Sequence, residues 1–140
     1  MQTGCVFCEV VAGTRTASLV YERPSVIAFM DLRQFNPGHV LVVPRRHIAT
    51  IFDLDDETGT ELMAAMIRIA RAVREAFEPD GINITQSNGE AAGQEIFHLH
   101  FHVHPRRAGD KMMHYAPVET TAPADLDRLA QRVREALEAH

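Results

Sequence analysis

The stretch HLHFHVHPRR, residues 98–107, has a histidine at every second position, and half of the chain's eight histidines lie in it. Successive side chains of a strand point to opposite faces, so a strand here predicts His98, His100, His102 and His104 on one face. Imidazoles two residues apart would be about 6.5–7 Å apart, a separation that lets several rings surround one ligand. We interpret this row as the functional centre. A merely solvated strand face and a metal site made wholly from this strand remain as alternatives.

The rest of the chain predicts four further strands. Two short ones lie in SLVYERPSVIAFMD, residues 18–31, a buried third in GHVLVVP, residues 38–44, and a fourth in INITQ, residues 82–86. The histidine stretch is the fifth, and Pro105 should end it. Short connections among the early strands favour a mainly antiparallel sheet.

Two helices complete the expected fold. The central one is predicted by apolar residues at helical spacing, namely Leu62, Met66, Ile69, Val73 and Phe77. The last helix begins at Pro123 and carries a similar stripe, Leu126, Leu129, Val133 and Leu137. Each stripe is a core face or a dimer-interface face. The sequence therefore predicts an α+β fold with a five-stranded sheet, in one domain over residues 1–140.

Composition excludes several classes of function. A net charge of −5 argues against a sequence-independent grip on polynucleotide, so we expect no nucleic-acid partner. No apolar run approaches the length of a membrane span. The start, MQTGCVFCEV, has no basic segment before an apolar stretch, so we expect no secretory signal and a cytoplasmic location. A small anionic ligand is compatible with this charge.

Cys5 and Cys8, the two cysteines of the chain, have C-x-x-C spacing. In a cytosolic protein this spacing suggests a metal site or a redox pair. A thioredoxin-like redox motif would need a preceding strand, and only four residues precede Cys5. We therefore favour a metal.

A neutral imidazole is a good nucleophile near pH 7, and phosphorus is a suitable electrophile for it. The stretch HLHFHVHPR resembles the His-Φ-His-Φ-His-Φ-Φ signature of the histidine triad (HIT) proteins, in which Φ is apolar. Further segments resemble the bacterial Hint-like branch in the same order, so that the resemblance covers nearly the whole chain: CVFCEVVAG, VIAFMDLRQFNPGHVLVVPRRHI, NGEAAGQEIFHLHFHVHPRRAGD and the final helix.

The resemblance implies roles for four histidines. His100 would be the nucleophile, attacking the α-phosphorus of a nucleotide conjugate to form a nucleotidyl-histidine intermediate that water hydrolyses. His102 would contact the α-phosphate oxygens and help with proton transfer, and His39 would fix ring orientation. His98, the first histidine of the triad, would be the fourth catalytic residue, whereas His104 stands where the family usually has an apolar residue.

The resemblance also implies a nucleotide site. Asn88, Gly93 and Gln94 would form the phosphate loop, and Asp31 would accept hydrogen bonds from the ribose hydroxyls. Apolar positions around the base would be Phe7, Phe29, Leu32 and Val10, of which Val10 is more simply a core residue. Glu95 replaces a hydroxyl residue that the family often has, which puts one phosphate contact in doubt.

The resemblance implies one structural zinc ion per chain, with Cys5, Cys8, His47 and His98 as a closed tetrahedral ligand set. It also implies a homodimer, to which the central helix could contribute. A zinc-free thiol pair with His98 hydrogen-bonded instead is the alternative.

The resemblance therefore implies a nucleotide hydrolase or nucleotidyl transferase acting at the α-phosphate of purine nucleoside phosphoramidates or related AMP or GMP conjugates. Three alternatives stay open: a dinucleoside polyphosphate hydrolase, a non-catalytic nucleotide- and zinc-binding protein, and a hydrolase with a catalytic zinc.

Overall fold

The computed structural model describes residues 3–112 and 119–139. Within them, five strands form one sheet in the order β1-β2-β3-β5-β4, and every neighbouring pair is antiparallel. The strands are β1 (Leu19–Glu22), β2 (Val26–Met30), β3 (Val40–Pro44), β4 (Gly81–Thr85) and β5 (Phe101–Arg106). The helices are α1 (Val6–Ala12), α2 (Asp56–Phe77) and α3 (Pro123–Glu138). The predicted α+β fold with a five-stranded antiparallel sheet is confirmed.

The central strands are buried on both faces of the sheet. Alternate residues of β2 and β3 pack against α2 and α3 on one face. The intervening residues, among them Phe29 and Leu41, pack with Phe7 and Val10 of α1 on the other. This two-sided cover explains why every residue of β2 and β3 is buried and why VLVVP, residues 40–44, is apolar throughout.

Helix α2 has Asp56 and Glu57 in its first turn, where the helix dipole favours acidic residues. The carboxylate of Asp55 caps it by accepting a hydrogen bond from the backbone N–H of Thr58 at 2.9 Å. The predicted stripe, Leu62 to Phe77, is buried at all five positions and faces the core. The opposite side leaves Met63 and Ile67 exposed at 55% and 44%. That apolar surface is compatible with a dimer interface, and the homodimer stays a prediction.

Two expectations about the histidine strand are wrong. Strand β5 begins at Phe101, so His98 and His100 precede it, and His98 is fully buried. The reason lies in Pro44, which lies opposite this segment. Pro44 has no N–H to donate to the neighbouring strand, and its carbonyl oxygen accepts a hydrogen bond from the His98 ring rather than from a backbone N–H.

Pro105 does not end β5, which continues to Arg106. The register pairs Val40 of β3 with Val103 of β5, so Pro105 lies beyond the end of β3. The carbonyl oxygen of Pro105 on that side accepts from the Asn36 side chain at 2.9 Å. The missing N–H of Pro105 therefore costs no hydrogen bond between β5 and β3.

Helix α1 was not among the elements that the sequence predicted. Cys5 is its N-cap, and its Sγ accepts from the backbone N–H of Cys8 at 3.4 Å. None of the helices in the described part of the chain has the length and apolar character that a transmembrane helix needs.

Gly38, just before β3, permits a close approach to α2 that no other residue would allow. Its φ is +107°, and an added Cβ would lie 2.6 Å from Cδ2 of Phe77. We expect Gly38→Ala to lower the free energy of unfolding by about 1–3 kcal/mol, measured by urea denaturation. Gly59→Ala in α2 is the matched control, since its Cβ would meet Leu54 at 3.6 Å. It should raise stability by about 0.5–1 kcal/mol. Equal stabilities of the two variants would contradict this account.

Candidate active site and metal-binding cluster

The candidate site lies on the α1 face of the sheet. His39 comes immediately before β3, and Asp31 immediately after β2. His102 and His104 project from β5 on the face opposite to Val103, which packs in the α2 and α3 core. Antiparallel pairing of β3 with β5 therefore brings histidines from two distant parts of the chain together.

His39 and His102 form a hydrogen-bonded pair with a defined direction. Nδ1 of His39 donates to the carbonyl oxygen of Arg33 at 3.2 Å, so the neutral ring keeps its lone pair on Nε2. That Nε2 is 2.9 Å from Nδ1 of His102, which must then be the donor. Burial lowers the pKa of His39 to about 4 and is the main cause that lowers the pKa of His102 to about 3. Both rings are therefore neutral at pH 7.

His100 presents one ring nitrogen to the site. Its Nδ1 donates to the carbonyl oxygen of His98 at 2.8 Å, which leaves the lone pair on Nε2. The ring is half-buried and packs edge-on against Phe7, with centroids 5.1 Å apart. The His102 ring is its neighbour at a centroid distance of 5.0 Å. This arrangement fixes the ring with its lone pair on Nε2, which suits nucleophilic attack.

Behind the site lies a cluster of two thiols and two imidazoles. Nδ1 of His98 is 3.4 Å from Sγ of Cys5 and 3.6 Å from Sγ of Cys8, and Nδ1 of His47 is 3.3 Å from Sγ of Cys8. One ligand atom from each of the four residues lies within 4.8 Å of the others. The cluster could hold a metal ion, as the sequence predicted for these residues.

The donors of this cluster suit a metal. His98 donates from Nε2 to the carbonyl oxygen of Pro44 at 2.8 Å, so its Nδ1 lone pair faces the thiols. Burial lowers the pKa of His98 to about 4 and raises the pKa of the Cys5 thiol. The His98 side chain does not line the open site. The backbone carbonyl oxygen of His98 contacts the site by accepting a hydrogen bond from His100.

The amide side chains of the predicted phosphate loop form hydrogen bonds within the protein. Gln94 is buried, with Nε2 donating to Ala49 at 2.8 Å and Oε1 accepting from the N–H of Gly89 at 2.8 Å. Asn88 accepts from the backbone N–H of Ile51 at 2.8 Å and exchanges hydrogen bonds with Gln86. These amides therefore shape the loop. Gly93 has a φ of +94°, and Glu95 is exposed.

The predicted ribose and base residues differ in exposure. Asp31 is mostly buried, which raises the pKa of its carboxyl, and its Oδ2 is 3.6 Å from Nε2 of His39. Phe7 and Phe29 are buried in edge-to-face contact, 5.4 Å between centroids. Leu32 is 54% exposed at the rim, and Val10 is a core residue.

Sequence reasoning did not anticipate two sets of contacts at the site. The His104 ring lies 4.2 Å from the His39 ring and stacks on His102, between centroids, at 4.9 Å. Arg106 and Asp110 form a two-point ion pair at 2.6 and 2.9 Å, which fastens the segment after β5. The i,i+4 spacing of this pair was the available signal.

The buried histidines predict a stability that depends on pH. In the unfolded chain His39 has the ordinary imidazole pKa of 6.5, whereas in the folded protein its pKa is about 4. Between about pH 6.5 and 4 the unfolded state therefore binds more protons than the folded state. The free energy of unfolding should therefore fall as pH decreases through that window, by about 3 kcal/mol from His39 alone. His39→Asn should show a shallower decline than the wild type in urea denaturation at fixed metal content. Parallel pH profiles would contradict the assignment.

Comparison with known proteins identifies the family. Residues 12–109 match the family model described as HIT domain. A Bacillus subtilis (strain 168) relative named protein hit is 44% identical over 102 residues, which are 73% of this chain and 70% of that protein. The adenosine 5'-monophosphoramidase hnt1 of Schizosaccharomyces pombe is 31% identical over 73% of this chain and 74% of its own length.

A solved structure agrees with both the fold and the family. The crystal structure of a Zn-bound histidine triad family protein from Mycobacterium smegmatis aligns with a TM-score of 0.84 at 39% identity, over 97% of this chain and 94% of that one. The family model alone covers more than half of the chain. On these matches and on the geometry of the histidine row, the chain belongs to the histidine triad (HIT) family.

Proposed function

We propose that the chain hydrolyses purine nucleoside phosphoramidates or related AMP conjugates at the α-phosphorus, with His100 as the nucleophile. The observation that carries the proposal is the hydrogen bond from Nδ1 of His100 to the His98 carbonyl oxygen, which leaves Nε2 with its lone pair beside His102. The phosphoramidase named among the relatives supports this substrate class.

The reaction would proceed in two displacements. Nε2 of His100 forms a bond to phosphorus while the bond from phosphorus to the leaving amine breaks, and the amine departs with that electron pair and gains a proton. Water then attacks phosphorus and gives up a proton to the His102 ring, while the phosphorus–nitrogen bond to His100 breaks and its electron pair returns to Nε2. The products are the amine and the nucleoside monophosphate.

His102 would handle the proton. In the free protein it donates from Nδ1 to His39 and is neutral because of its burial. A phosphate group bound next to it would favour its charged form, in which Nε2–H can donate to a phosphate oxygen or to the leaving group. His39, held by the Arg33 carbonyl, would be a positioning residue for His102.

The remaining predicted residues would place the nucleotide. The Asp31 carboxylate would accept from the ribose hydroxyls, and Phe7, Phe29 and Leu32 would border the base. For the loop at Asn88, Gly93 and Gln94 we propose phosphate contacts through backbone N–H groups, since the Asn88 and Gln94 side chains are engaged within the protein.

Loss of the nucleophile should abolish turnover and spare binding. We expect His100→Asn to reduce kcat for adenosine 5'-phosphoramidate by roughly 10³-fold or more, measured as AMP release. The Kd for AMP should change little. Thr60→Asn, an exposed position on α2, is the control for introducing asparagine. Turnover that persists in His100→Asn would remove His100 from the chemistry. Faster cleavage of diadenosine polyphosphates than of the phosphoramidate would favour the dinucleoside polyphosphate alternative.

We also propose that the cluster of Cys5, Cys8, His47 and His98 holds one structural zinc ion. Two thiols and two imidazoles form the four-ligand set of a closed tetrahedral site. When bound, the ion would cross-link the start of α1, the segment after β3 and the residues before β5. It would thereby hold the His98 carbonyl that orients His100. The Zn-bound relative from Mycobacterium smegmatis supports the choice of metal.

Metal removal should destabilise the protein before it affects the chemistry. We expect about one zinc per chain in protein purified without chelator, measured by plasma mass spectrometry. Chelation should lower Tm by several degrees, because binding energy of the ion is folding energy. Turnover at a given temperature should then fall in step with the unfolded fraction. Loss of turnover in fully folded, zinc-free protein would instead indicate a catalytic zinc.

A further inference from the structure

We propose that the chain binds a second divalent transition-metal ion at the three-histidine cluster of His39, His102 and His104. One ring nitrogen from each of these residues lies within 4.8 Å of the others. Two of the rings are i and i+2 on β5, and the third comes from the residue before β3. Ligands from two chain segments can approach an ion from different directions, which a single strand does poorly.

His104 has a buried ring nitrogen that is available to bind a metal ion. Its Nδ1 is buried, with no hydrogen-bond partner anywhere in the described stretches 3–112 and 119–139. Its Nε2 is 3.1 Å from the Oγ1 of Thr85. If Nε2–H donates to that hydroxyl, the unpartnered Nδ1 carries the lone pair. An unsatisfied buried nitrogen costs free energy, and a bound cation would satisfy it.

His39 is prepared in the same way. The carbonyl oxygen of Arg33 holds the proton on Nδ1, so the lone pair of Nε2 points toward His102. Metal-bound histidines usually donate their other ring N–H to a carboxylate, a backbone carbonyl or water. The Arg33 carbonyl is such a partner for His39, and Thr85 supplies a hydroxyl acceptor for His104.

His102 completes the cluster by a change of tautomer. Its Nδ1, 2.9 Å from Nε2 of His39, carries the proton in the free protein. An ion would displace that proton, which can move to Nε2 of the same ring without changing the ring's charge. Asp31 adjoins the cluster, with Oδ2 3.6 Å from Nε2 of His39, and its carboxylate would offset part of the ion's charge.

The two clusters should differ in their preference for metals. The cysteine-containing cluster offers soft thiolates, whereas the three-histidine cluster offers only imidazole nitrogen. If the proposed hydrolase function also holds, an ion at the second cluster would take the nitrogens that orient His102 and would inhibit turnover. Only this consequence rests on the proposed function, and the binding itself does not.

A cobalt titration tests the site independently of activity. The protein is loaded with one equivalent of Zn²⁺, dialysed and titrated with Co²⁺ under visible spectroscopy and equilibrium dialysis. We expect one cobalt ion per chain in addition to the zinc ion, with d–d absorption bands and without a thiolate-to-cobalt charge-transfer band. Cobalt at Cys5 and Cys8 would instead show that charge transfer. Charge transfer as the sole signal would overturn the proposal.

Variants locate the ion. His104→Leu should weaken cobalt binding by more than the roughly 10- to 100-fold that loss of an outer-shell partner costs. Thr85→Val, which removes such a partner, should weaken it by about tenfold. His100→Asn is the matched control, because it removes an imidazole from the same row outside the cluster, and it should bind cobalt as the wild type does. Equal binding by His104→Leu and the wild type, or lost binding in His100→Asn, would refute the assignment.

Proton NMR of the wild type decides the matter if a variant does not fold. Paramagnetic Co²⁺ should shift or broaden the imidazole signals of His39, His102 and His104, and Zn²⁺ provides the diamagnetic reference. Unaffected signals from these three rings, or effects confined to His114 and His140, would overturn the proposal.

Discussion

Burial disfavours the charged form of an imidazole, and a buried ring N–H needs a hydrogen-bond acceptor; these two constraints organise the site. Backbone carbonyl oxygens supply the acceptor for three rings: Arg33 for His39, Pro44 for His98 and His98 for His100. Because a carbonyl oxygen only accepts, each bond decides which nitrogen of the ring carries the lone pair. The three lone pairs face three different partners: the thiols, the His102 ring and the open site. Chemically identical side chains thus acquire different capabilities from their backbone neighbours.

The same contacts connect the site with the fold. His98 lies where α1, the end of β3 and the entry to β5 meet, with its ring between the thiols and the Pro44 carbonyl. Its own carbonyl orients His100. Any disturbance of the metal-binding cluster would therefore reach the proposed nucleophile through one residue. A metal ion bound there, as proposed, would therefore affect activity without a chemical role of its own.

The three-histidine cluster shows how burial limits the ligands that a group of imidazole rings can bind. Burial is the main cause of the low pKa of His39, His102 and His104, so protonation alone is costly there. An anionic phosphate would stabilise the charged form of His102, and a cation would instead use the neutral rings as ligands. Both ligands would depend on His102, and for that reason we expect them to exclude each other.

Local patterns in the sequence predicted much of the fold and the residue types of the site. The apolar run of β3, the helical stripe of α2 and the alternation around His102 report directly which faces are buried, because periodicity is a local property. The resemblance of the ordered motifs to histidine triad proteins predicted the family, and the comparisons confirmed it. The cysteine spacing and the matching histidines anticipated the cluster of Cys5, Cys8, His47 and His98, which could hold a metal ion.

Tertiary structure alone decided the rest. The start of β5 at Phe101 depends on Pro44 across the sheet, and the tolerance of Pro105 depends on where β3 ends. The position of His104 beside His39 depends on strand pairing, and the internal bonding of Gln94 depends on its distance to Ala49. Periodicity cannot show which carbonyl or ring from a distant segment lies within hydrogen-bond distance. That proximity, which sets tautomer, charge and metal affinity, arises only when the chain has folded.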